Sequence, residues 1–412
     1  MASFSNTLEQ ISTISETPRV LSMKVSVGIS THIGGGAGFL KENQDVPCTF
    51  KITINDNEYI IVIINDGHGD MHGKTIATHF KNFATKYLND HMAEIETNLI
   101  ELLKALFREG DVEINHIYKS GGTTSTILII DTTSGIVTCA NVGDSTANIF
   151  SLHENLSNSL RVYSTEESNA PSEMANYLPL SHDHSPEDKN EHSLVLAEIL
   201  PKIREKLNIL LNNCDNNLHN FFNTLTDSVR RKYYRYKLED IRQLIKIDSF
   251  CLDFLYERCD GIDGYPILNE SGQDRNLSKL RGLPNMYFKN TRKDWASSVT
   301  TPFGKLAMSK SIGDEYISAS TPTIQQFQLS PVISDEDYLC ITVCTDGVWD
   351  NWLDSDARNF LLHADQLSEL TLENGATRVS EKFIRENDIK GIANFGGRRD
   401  NASCACIYIK KN

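Results

Sequence analysis

Hydrophobic positions along this chain fall into short strand-like blocks set apart from helical ones. Phe50-Lys51-Ile52-Thr53-Ile54 alternates apolar and polar, as a half-buried strand does, and Tyr59 to Ile64 is a continuous apolar run. The polar Asn55-Asp56-Asn57 between them predicts a hairpin. From Gly73 to His91 the period lengthens, with Ile76, Phe80, Phe83 and Tyr87 on one face of a helix. A second helical pattern runs from Ile95 to Phe107. Strand blocks return at Ser125 to Asp131, Ile136 to Val142 and Thr146 to Leu152, then at Tyr338 to Cys344 and Ala402 to Ile409. Helical spacing marks Ala357 to Gln366 and Ala376 to Arg385. Strands and helices in separate blocks predict an α+β fold. The expected form is a four-layer α-β-β-α sandwich, two antiparallel sheets packed face to face with helices outside.

The middle of the chain departs from this plan. Leu194, Leu196, Ile199, Ile203, Leu207, Leu210 and Leu211 keep helical spacing, whereas residues 261–300 are loop-like, with Gly261, Gly264, Pro266, Gly272, Gly282 and Pro284. Residues 193–300 therefore read as a helical and loop insertion into one domain of residues 21–412, not as a second catalytic unit. Residues 1–20 are rich in Ser and Thr without apolar periodicity and read as a mobile tail.

Of the 412 residues, 40% are hydrophobic and 23% charged, the balance of a soluble globular protein. No apolar run approaches the length of a membrane span. The start, Met1-Ala2-Ser3-Phe4-Ser5, has neither the apolar core of a signal peptide nor the glycine that myristoylation needs. The expectation is an intracellular protein, cytoplasmic or nuclear, with no membrane partner. Nine scattered cysteines form no disulfide framework; Cys139, Cys340, Cys344, Cys404 and Cys406 lie in apolar runs as packed thiols. Fifty-five acidic against forty basic residues give a net charge of −15, which disfavours nucleic acid. That charge would also repel a phosphorylated substrate unless bound cations reversed the field locally.

Candidate chemistry begins with four aspartates that stand where apolar runs stop: Asp66 after Ile61-Val62-Ile63-Ile64-Asn65, Asp144 after Asn141-Val142-Gly143, Asp346 after Cys344-Thr345, and Asp400 after Arg399. Neighbouring Gly or Asn suggests tight turns at strand ends. Brought together, such carboxylates suit hard divalent cations. His68 stands two residues past Asp66, where an imidazole could move protons near neutral pH. His68 and His72 are spaced as helical zinc ligands would be, but Gly67, Gly69 and Gly73 oppose a helix there. The Gly34-Gly35-Gly36-Ala37-Gly38 run lacks the Gly-Lys-Ser/Thr ending of a phosphate loop.

Taken in order, eight segments resemble the metal-dependent Ser/Thr protein phosphatases of the PPM (type 2C) family. They are Asn43-Gln44-Asp45, Asp66-Gly67-His68-Gly69, Gly121-Gly122-Thr123-Thr124, Ala140-Asn141-Val142-Gly143-Asp144-Ser145, Leu180-Ser181-His182-Asp183-His184-Ser185-Pro186 with Glu191, Leu306 to Asp314, Thr345-Asp346-Gly347-Val348-Trp349-Asp350, and Asp400-Asn401. The resemblance implies two Mg2+ or Mn2+ ions bridged by Asp66, with the Gly67 carbonyl on one and Asp346 and Asp400 on the other. Asp45 would support the water between them, and Asp144 and Asp350 resemble the ligands of a third, weaker ion that some members bind. Paired cations lower the pKa of a shared water and neutralise phosphoryl oxygens. His68 resembles the general acid that protonates the departing seryl or threonyl oxygen. Thr123, Thr124, Asn141 and the Gly313-Asp314 turn match positions that support the site, and His182 and His184 fall in a structural segment.

The pattern also breaks. Where members place a phosphate-gripping arginine, five residues before Asp45, this chain has Leu40, with Lys41 one step along as the available phosphate-binding cation. Gln44, Thr146 and Lys310 replace a glutamate and two arginines common in the family. The expected activity is hydrolysis of phosphoserine and phosphothreonine in phosphorylated proteins. The alternative is a catalytically weak or inactive module of the same fold that binds a protein partner through its insertion. Within that insertion, Arg230-Arg231-Lys232-Tyr233-Tyr234-Arg235-Tyr236-Lys237 reads as a solvated helix face with tyrosines packed beneath.

Overall fold

The structure is a computed structural model that describes residues 23–35, 42–69, 72–165, 174–184, 189–214, 218–247, 251, 299–306, 308–395 and 399–411. The expected N-terminal tail, Leu40 and Lys41, Cys259 and most of the loop-like 261–300 stretch lie outside the described residues.

In chain order the strands of the first half are β1 (Met23–His32), β2 (Asp45–Ile54), β3 (Asn57–His68), β4 (Gly122–Thr123), β5 (Ser125–Asp131), β6 (Ile136–Val142), β7 (Thr146–Phe150), β8 (Arg161–Ser164) and β9 (Tyr177–Pro179). The second half adds β10 (Val299–Thr301), β11 (Gly304–Leu306), β12 (Ile312–Gly313), β13 (Thr323–Gln328), β14 (Leu339–Cys344) and β15 (Ala402–Lys411). One large sheet runs β1-β15-β14-β7-β9; the other runs β12-β4-β3-β5-β6-β13-β8, with β2 also on β3, and β10 pairs with β11 apart from both. Every ladder within the two sheets is antiparallel.

Strand β3 explains the layering. Its residues alternate faces. Ile60, Val62 and Ile64 enter a core shared with Ile341, Val343, Ala405, Ile407 and Ile409 of the other sheet. Ile61 and Ile63 face the opposite way, onto Ile76, Phe80, Leu103 and Phe107 of helices Gly73–Asp90 and Leu99–Ile117. A strand covered on both faces reads as an unbroken apolar run. Strand β15 repeats the arrangement: Cys404, Cys406 and Tyr408 meet Val379 and Phe383 of helix Gly375–Phe395. The strand cysteines are therefore buried packing residues without a disulfide among the described ones. The fold is α+β, two antiparallel sheets with helices, as the sequence predicts.

Several boundaries differ. The helix expected from Ile95 to Phe107 is two, Met92–Thr97 and Leu99–Ile117, because Asn98 leaves helical backbone at φ −152°. Ala357 to Gln366 also divides, into Asp354–Leu361 and Ala364–Glu369, with His363 extended and its ring capping the Asp365 amide at 3.3 Å. The helix expected to end at Arg385 continues to Phe395, and its exposed Ile389 and Ile392 break the apolar stripe that marked it. The hairpin at Asn55-Asp56 forms with both residues at positive φ, 48° and 68°, the backbone a two-residue turn requires.

The insertion contributes helices Lys189–Asn212, Leu218–Asn223, Asp227–Tyr233 and Leu238–Leu244. Ile199, Ile203, Leu207, Phe221, Phe222, Val229 and Ile241 form its core, which closes on Phe303, Tyr316 and Ala319 beyond it. The tyrosine expectation holds for Tyr233 alone: Tyr234 and Tyr236 are 55% and 43% exposed.

Candidate functional site

Asp45 and Asp66 are direct partners across β2 and β3, so the hairpin register alone sets one carboxylate beside the other. Three hydrogen bonds pin the Asp66 backbone to Thr123 and Thr124, where β4 gives way to β5: Thr124 Oγ1 accepts from the Asp66 amide at 3.0 Å, and the Thr124 amide and Thr123 Oγ1 donate to its carbonyl at 2.8 and 3.0 Å. Gly67 then passes so close to the start of helix Gly73–Asp90 that a Cβ would stand 2.2 Å from the Gly73 carbonyl oxygen. Only glycine fits there.

The other sheet supplies Asp346 and Asp400. Asp346 opens the short helix Asp346–Trp349 after β14, and Asp400 lies just before β15. Thr345 joins the sheets, since its Oγ1 donates to Asp45 Oδ2 and accepts from the Ser403 amide, both at 3.0 Å. Asp144 sits on the turn after β6, where Gly143 has φ 100°. His184, fully buried, holds that turn: its Nδ1 is 3.0 Å from the Gly143 amide and its Nε2 is 2.7 Å from Thr323 Oγ1.

Electrostatics shows which of these groups converge. Asp45 is pushed up to about 6 by burial, against hydrogen bonds from Ser403, Thr345 and Asp66, with the Asp400 charge adding to the rise. Part of Asp66 remains open to solvent, yet burial first, then the charges of Asp45, Asp346, Asp400 and Asp144, hold its carboxyl well above the usual range. Four like charges thus press on one carboxylate. Asp350 lies one helical turn past Asp346, at the end of the same short helix. Lys74, which the sequence reading did not single out, places its ammonium 2.7 Å from the Asp45 carbonyl oxygen. Its only signal is its place as the second residue of helix Gly73–Asp90, just after the Asp66 turn.

A divalent cation fits this donor set chemically. All donors are oxygens, Asp45 Oδ1 is buried and accepts no hydrogen bond among the described residues, and the mutual repulsion would be relieved by positive charge. Among the described residues no three His, Cys, Asp or Glu side chains close into a finished ligand shell.

His68 ends β3 beside this cluster. Its Nε2 lies 2.5 Å from Asp314 Oδ2. The turn carrying Asp314 is braced by Asp111 of helix Leu99–Ile117, whose Oδ1 accepts from the Gly313 amide at 2.8 Å and whose Oδ2 accepts from Ser320 Oγ at 2.9 Å. Glu198 of the insertion accepts from the Ser320 amide at 2.8 Å.

Burial pushes Asp111 up to about 6, so the folded chain holds that proton more tightly than the unfolded chain. Unfolding then releases it, and stability falls as pH rises from about 4 to about 6, by roughly 3 kcal/mol at most. Asp111→Asn keeps an oxygen for the Gly313 amide and carries no charge. Urea midpoints between pH 4 and 7 are expected to show the variant gaining on wild type as pH rises. A constant difference would refute this.

No protein-family model matches the chain, and no curated protein matches it. Its fold is similar to a solved serine-threonine phosphatase 2C from Toxoplasma gondii, at 13% identity, over 95% of this chain and 98% of that one, with a TM-score of 0.51. It is also similar to a C. elegans sex determining protein, at 13% identity and TM-score 0.50, over 93% of this chain. This chain spans 64% of that protein's length. A serine/threonine phosphatase from S. agalactiae matches at 15% identity, over 93% of this chain and 99% of that one, with a TM-score of 0.44. The first two likenesses show the fold and the fold alone.

Proposed function

We propose that the chain hydrolyses phosphoserine and phosphothreonine in proteins, with Mg2+ or Mn2+ held by Asp66, Asp45, Asp346, Asp400 and the Gly67 carbonyl. The observation that supports this most is the convergence of four other carboxylates on Asp66, two residues before His68. Asp144 and Asp350 are the candidates for a further, weaker ion. When bound, the ions would acidify a water and neutralise phosphoryl charge. The protein's own part is to orient: the β2–β3 register sets Asp45 against Asp66, Thr345 holds Asp45, and His68 supplies a proton to the departing oxygen. Lys41 is proposed to meet the substrate phosphate.

The test is phosphate release from a phosphothreonine peptide by the full chain, with Mn2+ or Mg2+ and with a chelator. Turnover that requires the ion is expected, against an uncatalysed rate so slow that a poor enzyme is visible. One observation favours the second reading, a non-catalytic module acting through its insertion: among the described residues no three His, Cys, Asp or Glu side chains close into a ligand shell. Neither turnover nor stoichiometric Mn2+ binding would establish that reading instead.

A further inference from the structure

The insertion holds a run of charge that its own fold does not account for. From Asn216 to Leu238 five cations, Arg230, Arg231, Lys232, Arg235 and Lys237, meet a single acid, Asp227, on a chain of net charge −15. Asp227 pairs with Arg230, and Arg231 Nε donates to the Asp227 carbonyl at 3.2 Å. Arg230, Arg231 and Lys232 lie in the last turn of helix Asp227–Tyr233, where the helix dipole favours cations. Folding explains the run no further. Arg235 lies past that helix, and Lys237 caps the start of helix Leu238–Leu244, an end where the dipole favours an anion. Both are exposed, as are Tyr234 and Tyr236.

A groove opens beside these side chains. Helix Leu218–Asn223 contributes Leu218, His219 and Phe222, and the basic run contributes Arg230, Arg231 and Tyr234, around a cavity of about 370 Å³. Leu218 and Phe222 make part of the lining apolar. The Arg235 guanidinium lies 5.2 Å from the centre of the Tyr234 ring, and its Nε donates to Tyr234 Oη at 2.6 Å. That contact orders two long side chains in advance, which lowers the entropy lost when a partner binds.

We propose that this face of the insertion docks an acidic segment of a partner protein, with an apolar side chain in the groove and carboxylates on Arg231, Arg235 and Lys237. The inference does not depend on whether the phosphatase core turns over phosphate. Charge selects the occupant. Guanidinium forks match carboxylates through paired hydrogen bonds, and Arg and Tyr are the residues on which interface energy concentrates. A nucleic acid would also feel the rest of the chain, which is more negative still than the whole.

The test is fluorescence anisotropy of a labelled glutamate-rich peptide with one central phenylalanine, titrated with the full chain at low salt. Arg231→Glu and Arg235→Glu are each expected to weaken binding about tenfold or more, and Tyr234→Ala at least about fivefold. Lys86→Glu changes an exposed cation on helix Gly73–Asp90, shifts the net charge as much as either arginine variant, and should leave binding within about twofold. All four side chains are exposed, so these variants keep the fold. Serine in place of the peptide's phenylalanine should cost about tenfold. Absence of binding, or an equal loss in Lys86→Glu, overturns the proposal. Tighter binding of an oligonucleotide of the same charge would make the partner a nucleic acid and overturn it too. A dimer in light scattering that Arg235→Glu disperses would name a second copy as the occupant instead.

Discussion

Asp66→Asn is expected to make the protein more stable without metal and inert with it. The wild-type carboxyl sits partly buried among the charges of Asp45, Asp346, Asp400 and Asp144, with its pKa held well above the usual range. A raised carboxyl favours the fold while protonated and opposes it once ionised, so the penalty grows as pH rises. The amide removes that charge with little change of shape. In chelator at neutral pH the variant should gain about 1–2 kcal/mol, the scale of one well-chosen stabilising substitution. The gain should vanish on acidification, where wild type is protonated too. Added Mn2+ should raise the melting temperature of wild type by mass action and leave the variant unmoved. Metal-dependent phosphate release should drop at least about a hundredfold. A variant less stable than wild type in chelator, or one that still responds to Mn2+, would count against the site as assigned.

Gly347→Ala should damage the fold and the site together. Gly347 lies in the short helix Asp346–Trp349, and an added Cβ would stand 1.8 Å from the Asn401 carbonyl oxygen and 3.4 Å from Asp400 Cβ. Backbone cannot rotate away as a side chain can, so a cost of about 3 kcal/mol or more is expected. Any relaxation shifts Asn401 and with it Asp400, so Mn2+ affinity should fall too. Gly391→Ala is the control. In helix Gly375–Phe395 its Cβ would meet nothing closer than 3.4 Å, and alanine there should add about 0.5–1 kcal/mol. Urea midpoints and Mn2+ titrations of both variants settle the matter; equal effects would mean that the close approach is not what matters.

These residues were legible in the sequence to different degrees. The β2–β3 hairpin was plain, because alternation, a continuous run and an Asn-Asp turn all agree from Phe50 to Ile64. The break at Asn98 was not, since apolar spacing continues across it and only the backbone changes course. Asp66, Asp346 and Asp400 could be named as strand-end carboxylates, but their proximity comes from two sheets meeting, which spacing along one strand does not encode. Asp314 was legible only in part. The turn was read as a support for the site, while its contact with His68 depends on two-residue strands too short to leave a periodic trace. The exposure of Tyr234 and Tyr236 was missed for a related reason. Their helix, Asp227–Tyr233, ends before them, so a helical wheel drawn through the cluster places them on the wrong face.

The run from Tyr59 to Ile64 has a cost outside the native state. Six consecutive apolar residues without charge or proline, rich in β-branched side chains, are the composition that stacks into cross-β assemblies when left unpaired. In the native fold β3 is flanked by β2 and β5 and covered on both faces. Its β5 neighbour lies some sixty residues downstream, so during synthesis the strand emerges well before that partner exists. The early partner is β2, already made, joined to it by a two-residue turn. The turn at Asn55-Asp56 therefore also acts as a gatekeeper for the nascent chain, and weakening it should appear first as insoluble protein in the expressing cell.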